Sequence, residues 1–540
     1  MRFNPKEKAD EVIQRFDDLK ADRQIWETTL QEIVDLVRPN AKDFNRTRTK
    51  GRERTELIFD ATATYANEQF AGGLNGALTN SSETWCNITL AEKGFEASDE
   101  ENGYLQAVRD KIFYEYSKSA ANFNSTLHEY YLDLGAFGTG VIYQDWNPRG
   151  RHLIFRTFPL ADCMIDESEM GLIDTLYRKV EYTTRQCRQK WGDDVPQKIK
   201  ESKKPDHLWT FIHGVYPRSD EKMRGGFGNQ GFPFASCWVC KDTGTIVSEG
   251  GYKQFPYHVS RWMKISGETL GRSPAWNSLP DIRMLQEVKK TLIKQSQLAI
   301  APPLIVDDDG VMLPIKVFPN SLIFKTPGTD PIKPLEVGSN LAVGNDTVDR
   351  LQESIMRQYY ADWMRRFKKN ERQTATEVMD DRDEMIRLMS PMLGRQQSEL
   401  LSPMLIRSYE LLSDNEAMPP FPQSMANRRI NIEYTSPASR AQYASKAQNI
   451  QRFITDITPF AQVNPDVMNA FKVEELTGLL AKLRDVPVLV LRSQEEIEEK
   501  KQQQQQAQQM QQMAQMGGDV AGAVKDLSVA GKNAPGLIGL

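Results

Sequence analysis

Residues 123–143 read FNSTLHEYYLDLGAFGTGVIY, and the chain changes there from a helical to a strand-like pattern. The first part, STLHEYYLDLGAFG, is predicted to be a helix that ends in glycines, which commonly stop helices. Beyond Thr139 the apolar residues recur close to every second position, as they do in half-buried strands. The sequence therefore predicts an α+β fold that is mainly helical, with a sheet region after the first helices.

Three further helices are predicted upstream of this stretch. The first carries apolar residues at steps of three and four from Val12 to Val37 and ends at Pro39. The second, ATATYANEQFAGGLNGALTN, is expected to take Asp60 as its N-cap, and its small residues allow a neighbour to approach closely. The third, GYLQAVRDKIFYEY, places its large apolar residues on one side.

Downstream, Thr139 to Met263 is predicted to form a mainly antiparallel β region. Segments such as TGVIYQDW, HLIFRTFP and HLWTFIHGVYP have an apolar period close to two, and Pro, Gly and Asp clusters separate them. A short helix, RQCRQKWG, is expected to interrupt the strands.

Helical periodicity returns between Ser278 and Ile300 and ends at the proline pair that follows, because proline cannot continue a helix ladder. The next residues, PLIVDDDGVMLPIKVFPNSLIFKTPG, predict two or three short strands with an Asp-Gly turn. A second long helix is expected to begin at Asn345 or Asp346.

Five basic residues crowd the end of this second helix: Arg365, Arg366, Lys368, Lys369 and Arg372. Cations near a helix C-terminus complement its dipole, which explains some of them, but five are more than the dipole needs. Thr374 and Glu377 fit a capping box at the start of the next helix. That helix is expected to run to about Ser413, with kinks at Pro391 and Pro403.

A basic stripe is predicted on the helix that starts at Ser278. Arg283, Lys290 and Lys294 are separated by seven and four residues, which places them along one line of the helix surface. An ordinary solvated helix face explains the same pattern and is the favoured interpretation for one chain alone.

The C-terminal part is predicted to contain two helices, roughly Pro437 to Ile457 and Asn464 to Arg484. After Val490 the composition shifts to SQEEIEEKKQQQQQAQQMQQMAQMGG, which has good helix formers but almost no apolar stripe. This segment is expected to be a protruding helix or disordered, followed by a flexible tail.

Composition limits the class of protein. The chain has 540 residues, 26% charged and 39% hydrophobic, which is typical of a globular protein with several compact units. A net charge of -5 argues against a protein that grips nucleic acid over its whole surface, so any DNA contact must be local. The sequence has no run of eighteen apolar residues and no secretory signal, so a protein made in a cytoplasm is expected, without membrane contact.

The motifs of nucleotide-binding enzymes are missing or lie in the wrong context. Gly226 to Gly231 match GxGxxG, yet a charged loop precedes them and Pro233 follows where a helix should begin. No GxxxxGK[ST] motif occurs, so a packaging motor is excluded.

The cysteines and acidic residues show no metal or redox site. Cys237 and Cys240 form a lone CxxC in a strand-like segment, so packed, reduced thiols are expected for them and for Cys86, Cys163 and Cys187. Asp307 to Gly310 resemble the start of a calcium loop, but Phe318 stands where the final Glu ligand is needed. Neither a metal nor another cofactor is expected.

The order of these elements resembles the portal, or head-to-tail connector, proteins of short-tailed bacteriophages. Three stretches carry the resemblance: FNSTLHEYYLDLGAFGTGVIY (123–143), SGETLGRSPAWNSLPDIRMLQ (266–286) and RQTATEVMDDRDE (372–384). It covers nearly the whole chain up to about Val490. The regions that it implies are a wing over 1–277, a first stem helix over 278–300, a clip over 301–344, a second stem helix over 345–368, a tunnel loop over 369–376, a long kinked wing helix over 377–413, a crown over 414–492 and a Gln-rich helical or disordered tail over 493–540.

The resemblance implies a ring of twelve copies around a channel, located at the portal vertex of the capsid in the virion and assembled in the host cytoplasm. The expected partners are double-stranded DNA, bound without sequence specificity, the packaging ATPase (terminase large subunit), tail adaptor proteins, and capsid and scaffolding proteins. Arg365, Arg366, Lys368, Lys369 and Arg372 would face DNA in the tunnel loop. Arg283, Lys290 and Lys294 would be channel-facing residues of the stem.

Two other classes of protein compete with this interpretation. A terminase-like enzyme would need the phosphate-binding loop that the chain lacks. A scaffolding or internal structural virion protein would fit the helical, Gln-rich C-terminus. Ring-shaped particles with a central hole would decide against the second class.

Overall fold

The computed structural model describes residues 5–47, 51, 54–81, 84–90, 98–219, 228–300, 304–305, 333–334, 341–361, 389–425, 430–435, 450–456, 476 and 480. The chain divides into two compact units, Met1–Phe95 with Gly103–Ser439, and Glu96–Asn102 with Arg440–Leu540. In the second unit, residues 450–456 are helical, which agrees with the helix predicted over this part of the chain.

The described helices and strands follow the predicted order, except that the strands at residues 86–90 and 430–434 were not predicted. The labelled helices are α1 (Pro5–Leu36), α2 (Thr62–Leu78), α3 (Asp99–Ser117), α4 (Phe123–Phe137), α5 (Thr184–Trp191), α6 (Gln197–Glu201), α7 (Pro274–Ile300), α8 (Leu341–Gln358) and α9 (Ser402–Asp414). The strands are β1 (Cys86–Leu90), β2 (Thr139–Asn147), β3 (His152–Thr157), β4 (Cys163–Glu167), β5 (Ile173–Thr183), β6 (Leu208–Pro217), β7 (Phe234–Cys240), β8 (Thr245–Tyr252), β9 (Tyr257–Arg261), β10 (Leu304–Ile305), β11 (Lys333–Pro334) and β12 (Ile430–Tyr434).

The switch from helix to strand occurs at Gly138. Its φ of 74° ends α4 in the left-handed region, and β2 begins at the next residue. A Cβ at this position would also collide with the backbone of Gly271 and Arg272, so only glycine fits. The predicted boundary between the helical and β regions is therefore confirmed.

The β region is antiparallel in every pair of strands that the described residues form. Its strands make a three-stranded sheet, β3-β2-β9, and a five-stranded sheet, β4-β5-β6-β7-β8, while β1 pairs with β12. Register places Arg178 of β5, His213 of β6 and Trp238 of β7 side by side. Because side chains alternate along a strand, these three lie on one face of the larger sheet.

The two faces of the five-stranded sheet are covered differently. On one face, α1 buries Val12 and Phe16 against residues that include Ile212 and Val239. On the other, α5 and α6 pack Cys187 and Ile199 against the strands. Helix α5 is the predicted RQCRQKWG helix, and a capping box between Thr183 and Gln186 starts it.

Three predicted helix starts need correction. Helix α2 begins at Thr62 with Ala61 as its N-cap; Asp60 instead accepts bonds from the Thr62 amide (2.9 Å) and hydroxyl (2.5 Å). Helix α7 begins at Pro274 rather than Ser278, because Ser273 accepts a hydrogen bond from the Trp276 amide at 2.9 Å and so caps it earlier. Helix α8 begins at Leu341, not Asn345 or Asp346.

A turn at residues 359–360 interrupts the second helix of this pair, which was predicted to run to residue 368; Ala361 is helical again, and residues 362–368 lie outside the described residues. Helix α8 stops at Gln358, and Tyr360 has a φ of 58°. The turn places the buried Tyr359 ring 6.4 Å from Phe70 and the Tyr360 ring 6.2 Å from Trp262. Packing of these aromatic rings outweighs the helical preference of the local sequence.

The predicted kink near Pro403 is a π-helical turn. Residues 389–396, which include Pro391, are helical; a π-helical turn over Gln397–Leu401 follows, and α9 begins after it. Proline lacks an amide hydrogen, and its ring crowds the carbonyl four residues earlier, which explains a widened turn just before Pro403. Glu399 in this turn binds the buried Arg261.

Candidate functional site

The pair formed by α7 and α8 is the candidate site, since it carries the predicted basic stripe. Ile282, Leu285 and Leu292 of α7 are buried, as are Val348 and Ile355 of α8. The helices pack closely at Gly344, where an added Cβ would collide with the Leu292 side chain. The sequence interpretation had placed Gly344 in the excursion before the helix, so this packing role was missed.

The base of the pair is fixed by hydrogen bonds between partly or fully buried polar groups. Asp281 of α7 accepts from Ser354 at 2.7 Å and from Gln358 at 2.8 Å, both on α8. Gln286 accepts from the amides of Phe59 (2.7 Å) and Asp60 (3.0 Å) and donates to the Asp60 carbonyl at 2.8 Å. These bonds lock α7 to α8 and to the segment before α2.

Asp60 lies at the centre of this base. Burial alone would raise the pKa of its carboxyl, but hydrogen bonds from Thr62 and Gln352 and the nearby Lys289 outweigh burial, so the pKa is lowered. Asp60 therefore stays ionised at neutral pH and holds Gln352 at 2.8 Å. Sequence reasoning assigned Asp60 a role as a helix cap and missed this contact with α8.

The other end of the pair, formed by the C-terminus of α7 and the N-terminus of α8, is largely exposed to solvent. The last four residues of α7 are all exposed, and Ile300 is 85% exposed. Ile293, Leu298 and Val343 also present large apolar side chains to solvent. Just beyond, β10 and β11 pair antiparallel, with Leu304 opposite Pro334.

The three residues of the predicted stripe all lie on the surface of α7. Arg283 binds Glu32 of α1 at 2.5 Å, and this hydrogen bond raises the pKa of its guanidinium. Lys290 lies 3.5 Å from Glu287. Lys294 is exposed and forms no ion pair with any residue that the structure describes. Arg283 and Lys290 are thus paired with acids, whereas no acid in the described part of the chain compensates Lys294.

A groove of about 550 Å³ runs beside the stripe, between α1 and α7. Its charged lining is paired internally: Arg283 with Glu32, Lys290 with Glu287, and Arg46 with Asp35 at 3.1 Å. A groove whose charges already compensate each other offers little to a charged ligand.

The predicted tunnel-loop residues Arg365, Arg366, Lys368, Lys369 and Arg372 lie outside the described residues. So do the predicted Thr374–Glu377 capping box and the Asp307 to Gly310 turn. Their assignment to a DNA-facing loop stays a prediction.

The cysteines are packed as predicted. All five are free and buried. Burial raises the pKa of the Cys237 thiol to about 12 and also raises that of Cys240. Both thiols stay protonated at neutral pH, so neither is a reactive nucleophile or a ready metal ligand. The described residues contain no cluster of acidic, His or Cys side chains suited to a metal.

Comparison with known proteins decides the family. A family model described as "Bacteriophage head to tail connecting protein" matches residues 9–491. This chain belongs to that family. Two relatives carry the word portal in their names. The "Probable portal protein" of Bordetella phage BPP-1 is 26% identical over 495 residues, 89% of this chain and 88% of the relative. The "Portal protein" of Salmonella phage epsilon15 is 22% identical over 504 residues, 90% of this chain and 89% of the relative.

Membership of the head-to-tail connecting family confirms the resemblance seen in the sequence. Portal and connector proteins are structural components of the virion capsid rather than enzymes. No helix among the described residues is long and apolar enough to cross a membrane.

Proposed function

We propose that this protein is a portal: a ring of twelve copies that forms a channel at one capsid vertex and connects head to tail. The observation that supports this most strongly is the family match over residues 9–491. Double-stranded DNA would pass through the ring during packaging and again during ejection, without being read for sequence. The terminase large subunit would attach during filling and tail adaptor proteins afterwards, while capsid and scaffolding proteins would surround the ring during assembly in the host cytoplasm.

In this ring, α7 and α8 are the proposed stem, and the residues between them the clip. A pair of helices locked at its base and uncovered at its far end suits an element whose free surface meets neighbouring copies. The exposed Ile293, Leu298 and Val343 would then be buried between subunits. Residues 414–492 would form the crown.

The proposed DNA contact is local and weak in each copy. Lys294, and the basic residues from Arg365 to Arg372, would touch phosphates, which position a protein on DNA without reading its bases. A ring multiplies each small contact into a collar of charge. A mildly acidic chain with narrow basic rings suits a duplex that must slide, because many phosphate contacts would hold it in place.

Electron microscopy of the purified full-length protein tests the proposal. We expect rings with a central hole in negative stain and a mass near twelve chains by light scattering. Particles with no hole would overturn it and favour the alternative of a scaffolding or internal virion protein. The preparation should also lack ATPase and nuclease activity, and turnover that survives further purification would contradict a purely structural role.

The tunnel-loop assignment has its own test. Replacing Arg366, Lys368 and Lys369 with Gln should leave ring assembly intact and lower the yield of DNA-filled particles several-fold. A matched control removes three exposed cations of the wing, in the variant K179Q/K198Q/K203Q, and should package normally. Normal yields of filled, infectious particles from the first variant would show that helix-dipole complementation alone explains these charges.

The C-terminal segment can be tested by truncation. Removing everything after Val490 should preserve the ring, since this segment lacks the apolar stripe needed to bury much area. Size-exclusion chromatography with light scattering measures the outcome. A truncated chain that elutes only as a monomer would identify the segment as an assembly element.

A further inference from the structure

Arg178 of β5 and Lys190 of α5 lie on the α5 side of the five-stranded sheet, and Arg156 of β3, in the three-stranded sheet, is near enough to Lys190 to interact with its charge. None of the three forms an ion pair with any residue in the described part of the chain. This distinguishes them from the charged residues of the groove beside α7, which are paired.

Arg178 and Lys190 meet on one set of aromatic rings. The Lys190 ammonium lies 3.3 Å from the centre of the Trp238 ring, 4.5 Å from that of Trp191 and 4.9 Å from that of Tyr182. The Arg178 guanidinium lies 3.7 Å from the Phe158 ring and 6.0 Å from the same Trp238 ring. Aromatic faces attract these cations but do not neutralise them.

The cations are close enough for their like charges to repel one another. Burial is the main cause that lowers the pKa of Lys190 to about 7, and the charges of Arg178 and Arg156 lower it further. In addition, the Arg178 Nε is buried and has no hydrogen-bond partner among the described residues. Because the Arg178 side chain is partly exposed, an anion that binds from outside would offset the repulsion among these cations.

We propose that Arg156, Arg178 and Lys190 form a binding site for the carboxylates of an acidic segment of a partner protein. Arginine guanidinium groups bind carboxylates in a two-pronged geometry, and Lys190 supplies a third donor. This site is on the sheet, apart from the proposed stem and tunnel loop, and goes beyond the channel function.

The aromatic rings argue for a peptide rather than a nucleic acid. Single-stranded nucleic acids bind through bases that stack on open aromatic faces. Here His213 stacks on one face of Trp238, with ring centres 4.1 Å apart, and Lys190 occupies the other. Trp191 packs against Phe211 at 4.8 Å. Three cations also fall short of the six to ten phosphate contacts typical of a duplex-binding surface.

The reactivity of Lys190 provides the readout. At pH 7 a lysine with a pKa near 7 is about half neutral, whereas an ordinary lysine is almost fully protonated, so Lys190 should be acylated before the other lysines. We would treat the full-length protein with a limiting amine-reactive ester at low salt and locate the modified residues by peptide mass mapping. Added hexaglutamate should raise the pKa of Lys190 and slow its acylation roughly fivefold, the change expected for one pKa unit.

Two variants and two control ligands make the test specific. Arg156→Gln, at an exposed position, should abolish protection by hexaglutamate, whereas Lys179→Gln removes a neighbouring cation from the opposite face of β5 and should leave it unchanged. Hexaglutamine should not protect Lys190. Equal acylation with and without hexaglutamate would overturn the proposal, as would protection by hexathymidylate but not by the acidic peptide, which would indicate nucleic acid.

Discussion

Arg261 and the Arg178–Lys190 group are all cations of the β region, but they differ in the partners that surround their charges. Arg261 is completely buried and binds Glu399 at 2.9 Å, Glu167 at 2.8 Å and the Gly171 carbonyl at 2.7 Å. Arg178 and Lys190 have aromatic rings around them and no carboxylate among the described residues. A cation that serves the fold is neutralised within the chain, because an uncompensated buried charge is strongly destabilising. A partly exposed cation with no acid beside it in the described residues is available to a partner.

The largest effect should follow from breaking the Arg261 site. Glu399→Gln removes one of its two carboxylates, and we expect the free energy of unfolding to fall by about 3 kcal/mol, as for other broken buried pairs. Urea unfolding measures the loss. Asp414→Asn is the matched control, since its exposed pair with Lys253 at 2.6 Å should contribute less than about 1 kcal/mol. Equal losses of unfolding free energy in both variants would show that buried and exposed ion pairs contribute alike to stability in this protein.

His258 lies between these two cases, because only one of its ring nitrogens has a hydrogen-bond partner in the described residues. Its Nε2 bonds the Gln144 side chain at 2.7 Å, while its buried Nδ1 has no partner among the described residues. Burial, and then the nearby Arg407, lower the pKa of His258 to about 3. Its neighbours therefore include a cation that opposes protonation.

The sign of the pH dependence follows from this depressed pKa. Below about pH 6.5 the unfolded chain takes up a proton at this histidine and the folded chain does not, so stability falls as the pH drops towards 3. At pH 5 the loss from His258 should be about 2 kcal/mol. His258→Met should flatten the fall in the urea midpoint between pH 7.5 and 5. An unchanged slope in the variant would show that other groups, such as the similarly buried His213, carry the effect.

The smallest effect is expected at Lys190. Lys190→Met keeps the apolar stem over Trp238 and removes only the charge, so the lost cation–π contact and the relieved repulsion from Arg178 should nearly cancel. We expect a change in unfolding free energy below about 1 kcal/mol. A loss as large as that of Glu399→Gln would mean that Lys190 holds the fold together, contrary to the contrast with Arg261.

The sequence predicted the parts of the fold that depend on local chemistry. The glycines after α4, the proline pair after α7 and the period-two strands each act through the backbone of a few neighbouring residues. The errors came where distant residues decide: a turn interrupts the predicted helix where Tyr359 and Tyr360 pack near Phe70 and Trp262. Family membership followed from the order of elements, which survives such boundary shifts.

The candidate site was predictable only in part. Helical spacing placed Arg283, Lys290 and Lys294 on α7, but not the Glu32 partner of Arg283, which is 251 residues away in sequence. The Arg178 group was missed for the same reason, since strand register and not spacing brings it beside Trp238. Charge lists from a sequence count cations but do not show which ones are already paired.

The π-helical turn at Gln397–Leu401 has a consequence for how the family varies in length. A π turn holds one more residue than the α-helical turn that joins the same two ends. In evolutionary terms it behaves as a single-codon insertion absorbed locally, with Ser398 exposed on its outer side. Aligned relatives should therefore show one-residue gaps here more often than in the helix on either side, and the protein should tolerate deletion of Ser398 better than deletion of the buried Met404.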